Sequence, residues 1–324
     1  MKKTVKVKFV GFCDTFDVNK NTIYRLLQKH YDVQFCENGE EDYSICSLYG
    51  SDYVNAKGVR IFYNGEAVAP DFTLFDYYIG FDELHFSDRY VRCPNYLMNL
   101  KYADDVKLML SRHTDAHEKR EKFCSWVCSN GHADKIRDTI FDSLSEYKPV
   151  DSGGRYRNNM GIAEGVPDKR KFQQEYKFSL AIENTSYKGY TTEKLIESFA
   201  AGGLPIYWGD PDVSKYFNPR AFVNLMDYPT IEDGIEAVKA LDNNDNLYQE
   251  MLSQKDLLNV SHVTDCMANL ESFLTNIFEQ PIEKSYRRPH GQAAGNFEGI
   301  VRNGLYPQET LFSRLKGIAC RFGK

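Results

Sequence analysis

No apolar run in this chain is long enough to serve as a signal peptide or to cross a membrane. The chain opens Met1-Lys2-Lys3-Thr4 and passes at once into an alternating strand, which predicts a cytoplasmic protein. Metal-site spacing is missing as well. The 8 cysteines include no C-x-x-C pair, and buried free thiols in a reducing compartment are the simplest account of them. His113 and His117 share a helical spacing but lack the adjacent Glu of a zinc-binding helix. A basic excess is also missing: 40 Lys and Arg stand against 46 Asp and Glu, for a net charge of −6. That balance argues against a general nucleic-acid binder, although it leaves room for a local basic site. No G-x-G-x-x-G follows the first strand, so dinucleotide binding is not expected in that half.

What is present is the patterning of an α/β protein large enough, at 324 residues, for two domains. Val5, Val7 and Phe9 alternate with Lys6 and Lys8, and Asn19 or Asn21 can cap a helix carrying Ile23, Leu26 and Leu27. With a strand at Tyr31–Cys36 this is the β–α–β opening of a Rossmann-like unit. Short strands follow at Tyr43–Leu48 and Val59–Tyr63. Asn64-Gly65 then set Glu66 at a strand's C-terminal edge, where α/β proteins keep their chemistry. On local sequence alone a solvated loop Glu is the plainer reading. Asp82-Glu83 invite a metal, but that segment holds no Asp-x-Asp triplet.

The polar stretch 97–122 predicts a connector near 111–120. Beyond it, Phe123–Cys128 restarts a strand, and Ile136, Ile140 and Leu144 line one face of a helix whose first turn holds Arg137. Val150–Asn159 is a Gly-containing loop with two arginines, suited to a pyrophosphate or simply exposed. Residues 178–182 read as a strand buried on both faces, and Asn184–Tyr190 as a turn. Thr191 or Thr192 can cap the next helix, which opens with Glu193 and Lys194 and stops at Gly202-Gly203 before a strand at Leu204–Trp208. A strand feeding a helix N-terminus through a polar turn is an anion site, and also an ordinary βαβ unit. A strand at Ala221–Asn224 and helices at Thr230–Leu241 and Asp245–Leu258 complete the second unit, and a further helix is expected around Val263–Phe278. Arg287–Gly299 reads as a flexible linker. Leu311, Phe312, Leu315, Ile318 and Phe322 then form one apolar stripe among basic residues, suited to an interfacial helix or a packed end.

The run Phe178–Gly209 holds F-x-L-x-x-E-N, G-Y-T-T-E-K and P-I-Y-W-G in order, and it resembles the signature of the α1,3-fucosyltransferases, glycosyltransferase family 10. Tyr63–Phe72 is similar to that family's Y-x-G-E-N-x-x-P-[DN]-F, with Ala67 in place of Asn, and Phe123–Asn130 to its F-x-S-x-V-x-S-N. The resemblance implies a GT-B fold: two Rossmann-like domains facing across a cleft, with the helix around Val263–Phe278 crossing back over the first domain and a C-terminal tail. Residues 1–118 would bind the acceptor and 119–282 GDP-fucose, while 283–324 would be linker and amphipathic tail. It implies inverting transfer of L-fucose from GDP-β-L-fucose to O3 of GlcNAc in a Galβ1,4GlcNAc-type acceptor, giving Lewis X-type glycans. Glu66 would be the catalytic base, and Arg137, Asn184, Tyr190, Thr192, Glu193 and Lys194 would bind the donor.

No metal ligand and no cofactor is expected, with Mg²⁺ or Mn²⁺ stimulating at most through the donor phosphates. The expected partners are GDP-fucose, an N-acetyllactosamine-type glycan and, through the tail, the inner face of the cytoplasmic membrane, with no nucleic acid. Another inverting GT-B transferase, with a different sugar nucleotide or an α1,4 linkage, fits the same pattern. A non-catalytic sugar- or nucleotide-binding protein would keep the cleft but have no use for Glu66.

Overall fold

The structure, a computed structural model, describes residues 1–37, 39–49, 52–111 and 120–305. Its first half is a parallel sheet of β1 (Lys3–Val10), β2 (Tyr31–Phe35), β3 (Tyr43–Cys46), β4 (Val59–Tyr63), β5 (Tyr77–Gly80) and β6 (Tyr90–Arg92), in the order β2-β1-β3-β4-β5-β6. Helix α1 (Thr22–His30) starts at Asn21, whose side-chain oxygen accepts from the Ile23 and Tyr24 amides; Asn19 is not the cap. Helix α2 (Leu100–Leu110) leads away from this sheet. The expected connector falls largely on 112–119, outside the described residues, as do His113 and His117.

The second half is a parallel sheet of β7 (Lys122–Trp126), β8 (Val150–Ser152), β9 (Tyr176–Ile182), β10 (Leu204–Trp208) and β11 (Val223–Asn224), in the order β11-β10-β9-β7-β8. Its helices are α3 (Ile136–Tyr147), α4 (Lys169–Gln173), α5 (Glu193–Ala200), α6 (Ile231–Asp242) and α7 (Asp245–Leu252). Helix α7 ends at Leu252, short of the expected Leu258, and Asp256, with a positive φ of 54°, keeps the chain from resuming it. Leu257 and Leu258 keep their apolar pattern by entering the core as irregular chain. The loop expected at Val150–Asn159 begins as strand β8, paired to β7.

Leu195, Ile196 and Phe199 of α5 are fully buried in a core shared with Val106 and Met109 of α2, so the helix after the central turn is also where the halves meet. Helix α8 (Val260–Glu279) returns to the first sheet as expected, stacking Phe278 on Tyr43 at 4.1 Å and Phe273 edge-on to Tyr77 at 5.7 Å. After the short α9 (Ile282–Ser285), the expected linker is instead anchored chain followed by helix α10 (Gln292–Leu305). The amides of Arg287 and Arg288 both donate to the buried Asp76 carboxylate at 2.8 Å. Arg60, itself buried, reaches Glu298 of α10 at 2.9 Å. The weak local pattern that suggested a linker says nothing about a buried carboxylate far earlier in the chain. The apolar stripe at 311–322 lies outside the described residues. Among the described residues no helix is long and apolar enough to cross a membrane, and Cys13, Cys36, Cys46, Cys93, Cys124, Cys128 and Cys266 are free.

Candidate active site

Glu66 stands one turn beyond β4. Asn64 closes that turn with both ends of its carboxamide, accepting from the Glu66 amide at 3.2 Å and donating to the Val68 carbonyl at 2.8 Å. Asn95 braces the Gly65 carbonyl at 2.9 Å. The carboxylate is held on both oxygens: Tyr49 donates to Oε1 at 2.7 Å, and Tyr190, from the other half of the molecule, to Oε2 at 2.9 Å. Burial, and then the Glu66 charge, push the Tyr49 hydroxyl well above its ordinary range. Burial raises Tyr190 further, with Glu183 and Glu66 adding to it. Both phenols therefore remain hydrogen-bond donors at neutral pH.

The central turn is built by two buried carboxylates. At the end of β9, Glu183 is fully buried; its Oε1 accepts from the Thr192 amide at 2.8 Å, and its Oε2 from the Thr192 hydroxyl at 2.7 Å and Lys194 Nζ at 3.0 Å. Asp210 takes the Gly189 amide, the Thr191 hydroxyl and the Asp212 amide, each at 2.8 Å. These bonds correct two expectations. Thr192 occupies the N-cap position of α5, but neither its hydroxyl nor that of Thr191 caps the helix, because both are committed to carboxylates. The anion at the mouth of α5 is the chain's own Glu183. Gly189 has a φ of +79°, and a Cβ there would lie 2.4 Å from the Phe81 carbonyl in the other half, so only glycine permits both the turn and the approach.

Charge is concentrated at this turn. Burial raises the Glu183 carboxyl, opposed by Lys194. Burial alone would lower Lys194, but Glu183 and then Glu193 hold it above the usual lysine range. Desolvation works to raise Glu193, yet Lys194 and Lys169 bring it below the ordinary carboxylate range. The ion pairs thus override burial at both positions.

Arg137 is only 2% exposed, contrary to the usual state of an Arg on a first helical turn. One guanidinium nitrogen donates to Asn184 Oδ1 at 3.1 Å, a second contacts Cys128 Sγ, and the group lies over the Trp126 ring at 5.6 Å. Its Nε is buried without a hydrogen-bond partner.

Between the halves lies a cleft of about 290 Å³. Asn184, Tyr190, Thr192, Glu193 and Lys194 line it from one side, and Glu66, Tyr49, Tyr63, Phe12 and Phe16 from the other. Six of the seven residues singled out from sequence therefore meet in one cavity. Arg137 does not line it; it stands behind Asn184. In the Gly-containing loop, Arg157 pairs with Asp138 at 3.2 Å and with Asp142, so its charge is already met. Asp82 and Glu83 join the halves instead of lining the cleft, accepting from Tyr187 and Tyr216, each at 2.7 Å. The chain does contain one Asp-x-Asp triplet, Asp210-Pro211-Asp212, but its Asp210 is saturated by the three internal donors. Among the described residues no group of three or more His, Cys, Asp and Glu is placed to hold a metal ion.

Sequence reasoning missed Glu183, Asp210 and Tyr49. The first two had a signal, a carboxylate within two residues of the end of a strand buried on both faces, which requires internal partners. Tyr49 had none.

Two family models match the chain: the alpha-(1,3)-fucosyltransferase FucT N-terminal domain over residues 7–99, and the glycosyltransferase family 10 (fucosyltransferase) C-terminal model over residues 117–280. The chain is 34% identical over 278 residues to the alpha-(1,3)-fucosyltransferase FucT of Helicobacter pylori, covering 74% of this chain and 57% of that protein. It thus spans little more than half the length of that curated relative. A crystal structure of an alpha1,3-fucosyltransferase with GDP-fucose superposes with a TM-score of 0.72 at 28% identity, covering 90% of this chain and 94% of the other. The same TM-score of 0.72, at 29% identity and 89% and 94% coverage, is found for an alpha1,3-fucosyltransferase with GDP. Superposition over both halves makes the two-sheet architecture a GT-B fold.

Proposed function

This chain belongs to glycosyltransferase family 10, and from that premise we propose that it is an α1,3-fucosyltransferase. It moves L-fucose from GDP-β-L-fucose to O3 of GlcNAc in Galβ1,4GlcNAc-type acceptors, with inversion, giving Lewis X-type glycans. One observation carries the reading. A carboxylate at the strand edge of one domain, Glu66, shares a cleft with the Asn184, Thr192, Glu193 and Lys194 cluster of the other, and the Tyr190 hydroxyl joins them at 2.9 Å.

Such transfer needs a base for the acceptor hydroxyl and a counter-charge for the departing diphosphate. Glu66 supplies the first, its carboxylate plane fixed by two phenols. Lys194 supplies the second: Glu183 and Thr192 steady its ammonium group, and it lines the cleft. Arg137 acts through Asn184 and adds to the positive potential behind the site. Closure of the two halves excludes the water that would hydrolyse the donor. These fixed cations make a metal dispensable, with Mg²⁺ or Mn²⁺ stimulating only through the donor phosphates. The basic, apolar-striped sequence after residue 310 supports work at the inner face of the cytoplasmic membrane on lipid-linked glycans.

Lys194→Ala is expected to weaken GDP binding by about 1.5–3 kcal/mol, the worth of one charged hydrogen bond. Arg137→Ala, acting through Asn184, should cost less. Calorimetry with GDP measures both, and unchanged affinity in folded Lys194→Ala would remove that residue from the site. The activity itself is tested by incubating the protein with radiolabelled GDP-fucose and N-acetyllactosamine, lacto-N-biose or lactose, before and after exhaustive chelation. Transfer to N-acetyllactosamine that survives chelation is expected. Transfer to none, with transfer from another sugar nucleotide, overturns the function; loss restored only by Mn²⁺ or Mg²⁺ overturns metal independence.

A further inference from the structure

An exposed tyrosine is ordinarily free to turn, and Tyr49 is 51% exposed, yet its chain and its ring are both held. The pairing of β1 with β3 ends in regular form at Val10 and Cys46. Two more amide bonds carry it on, Ser47 to the Val10 carbonyl at 2.9 Å and Tyr49 to the Gly11 carbonyl at 2.8 Å. The ring then lies against the turn that presents Glu66: a Cβ built on Gly65 would stand 4.0 Å from the Tyr49 ring and hydroxyl. From there the hydroxyl donates to Glu66 Oε1 at 2.7 Å. Both ends of this bond rest on β3 and β4, neighbouring strands of one sheet.

Tyr190, which donates to Oε2 at 2.9 Å, differs in that it comes from the turn between β9 and α5, in the other half. The same wall carries Asn184, Glu193 and Lys194, so a reacting acceptor hydroxyl has to lie between Glu66 and that wall, on the side of Oε2. Each carboxylate oxygen has two lone pairs. Oε2 therefore keeps one for the acceptor's proton, and movement of the halves would alter the Tyr190 bond while leaving the Tyr49 bond intact. A hydrogen bond to the ionised form of a carboxylate also favours that form. Other ionisable groups line the cleft around Glu66: Cys13, Asp17, Tyr63 and Tyr102 along it, and Glu193 and Lys194 opposite. Glu193 and Lys194 pair with each other at 3.4 Å, and the two phenols are the direct donors to the Glu66 carboxylate.

Resting on the fucosyl-transfer reading, we propose that Tyr49 is the positioning residue of the base. By holding Oε1 it fixes the carboxylate plane and turns the free lone pair of Oε2 toward the acceptor hydroxyl. By favouring the ionised carboxylate it also extends turnover to lower pH. It needs no contact with either substrate to do so.

The test is Tyr49→Phe, which keeps the ring and removes only the hydroxyl, so the variant should fold; a melting curve checks it. With GDP-fucose and N-acetyllactosamine, kcat should fall by about three- to thirtyfold, as for one lost hydrogen bond, while KM for GDP-fucose stays near wild type. The acidic limb of the kcat profile should move up by about half to one pH unit, because a carboxylate without its donor takes up a proton more readily. In a Glu66→Gln background the same change should have little further effect on kcat, since no base remains to be positioned. Wild-type kcat with an unmoved acidic limb in the folded variant overturns the proposal, and Tyr49 then only covers the turn. A full loss that persists in the Glu66→Gln background overturns it as well, because Tyr49 then acts on a substrate or on the fold. Both of those results leave the transferase reading intact. Normal turnover by Glu66→Gln, or no transfer by wild type to any acceptor, overturns the base assignment and this proposal together.

Discussion

Glu66→Gln is expected to lower kcat by about 10²- to 10⁴-fold, the usual contribution of a positioned general base, while GDP affinity stays near that of the unaltered protein. A sugar hydroxyl is a poor nucleophile at neutral pH, and the amide of Gln cannot take its proton. The substitution keeps size and shape, and the Gln oxygen can still accept from one of the two phenols, Tyr49 or Tyr190, that hold Glu66 at 2.7 and 2.9 Å. Apart from the Tyr190 hydroxyl, the donor cluster from Asn184 to Lys194 belongs to the other half and makes its own contacts, so nucleotide binding should be nearly indifferent. A merely structural Glu66 predicts the reverse: a lower melting temperature with normal turnover of the folded fraction. Steady-state rates and GDP calorimetry on the same preparation separate the two outcomes.

The largest stability effect should come from a residue that never touches the substrates. Glu183→Ala removes the sole acceptor shown for the Thr192 amide and strips Lys194 of its buried counter-ion. Breaking a buried pair by deleting one member typically costs about 3–5 kcal/mol, because the other charge stays desolvated. Lys194 retains 20% side-chain exposure, which favours the lower end, but two Thr192 donors are orphaned at the same time. Denaturant unfolding should therefore show a loss near that range. Glu183→Gln, which keeps one acceptor oxygen, should lose less and still weaken GDP binding by releasing Lys194. A change in unfolding free energy within about 0.5 kcal/mol for Glu183→Ala, the range of ordinary surface substitutions, would contradict the buried-pair account.

What was legible in the sequence was local. The run from β9 through α5 to β10 announces itself, since a strand buried on both faces, a Gly-bearing turn and a glycine stop act within a few residues of each other. The Asn64-Gly65 turn that offers Glu66 is equally local. Less visible was anything settled by a partner distant in sequence. Arg287 and Arg288 looked like linker because Asp76, which takes both of their amides, lies in another segment. Arg137 reads as a donor ligand on its helix, but its burial behind the cleft depends on the Trp126 ring and Asn184, which come from other strands' ends. The anion at the mouth of α5 was expected from outside, yet Glu183 already stood next to Asn184 in the strongest motif. Its role depends on the helix folding back over β9, which composition does not reveal.

The central claim is that Glu66 acts as a base in one direct displacement at the anomeric carbon. The anomeric configuration of the product, read by proton NMR after transfer from GDP-β-L-fucose to N-acetyllactosamine, tests this most directly. A single displacement assisted by Glu66 predicts an α-linked fucose, inverted relative to the donor. A β-linked product would require two displacements through a covalent fucosyl intermediate, and would contradict the account.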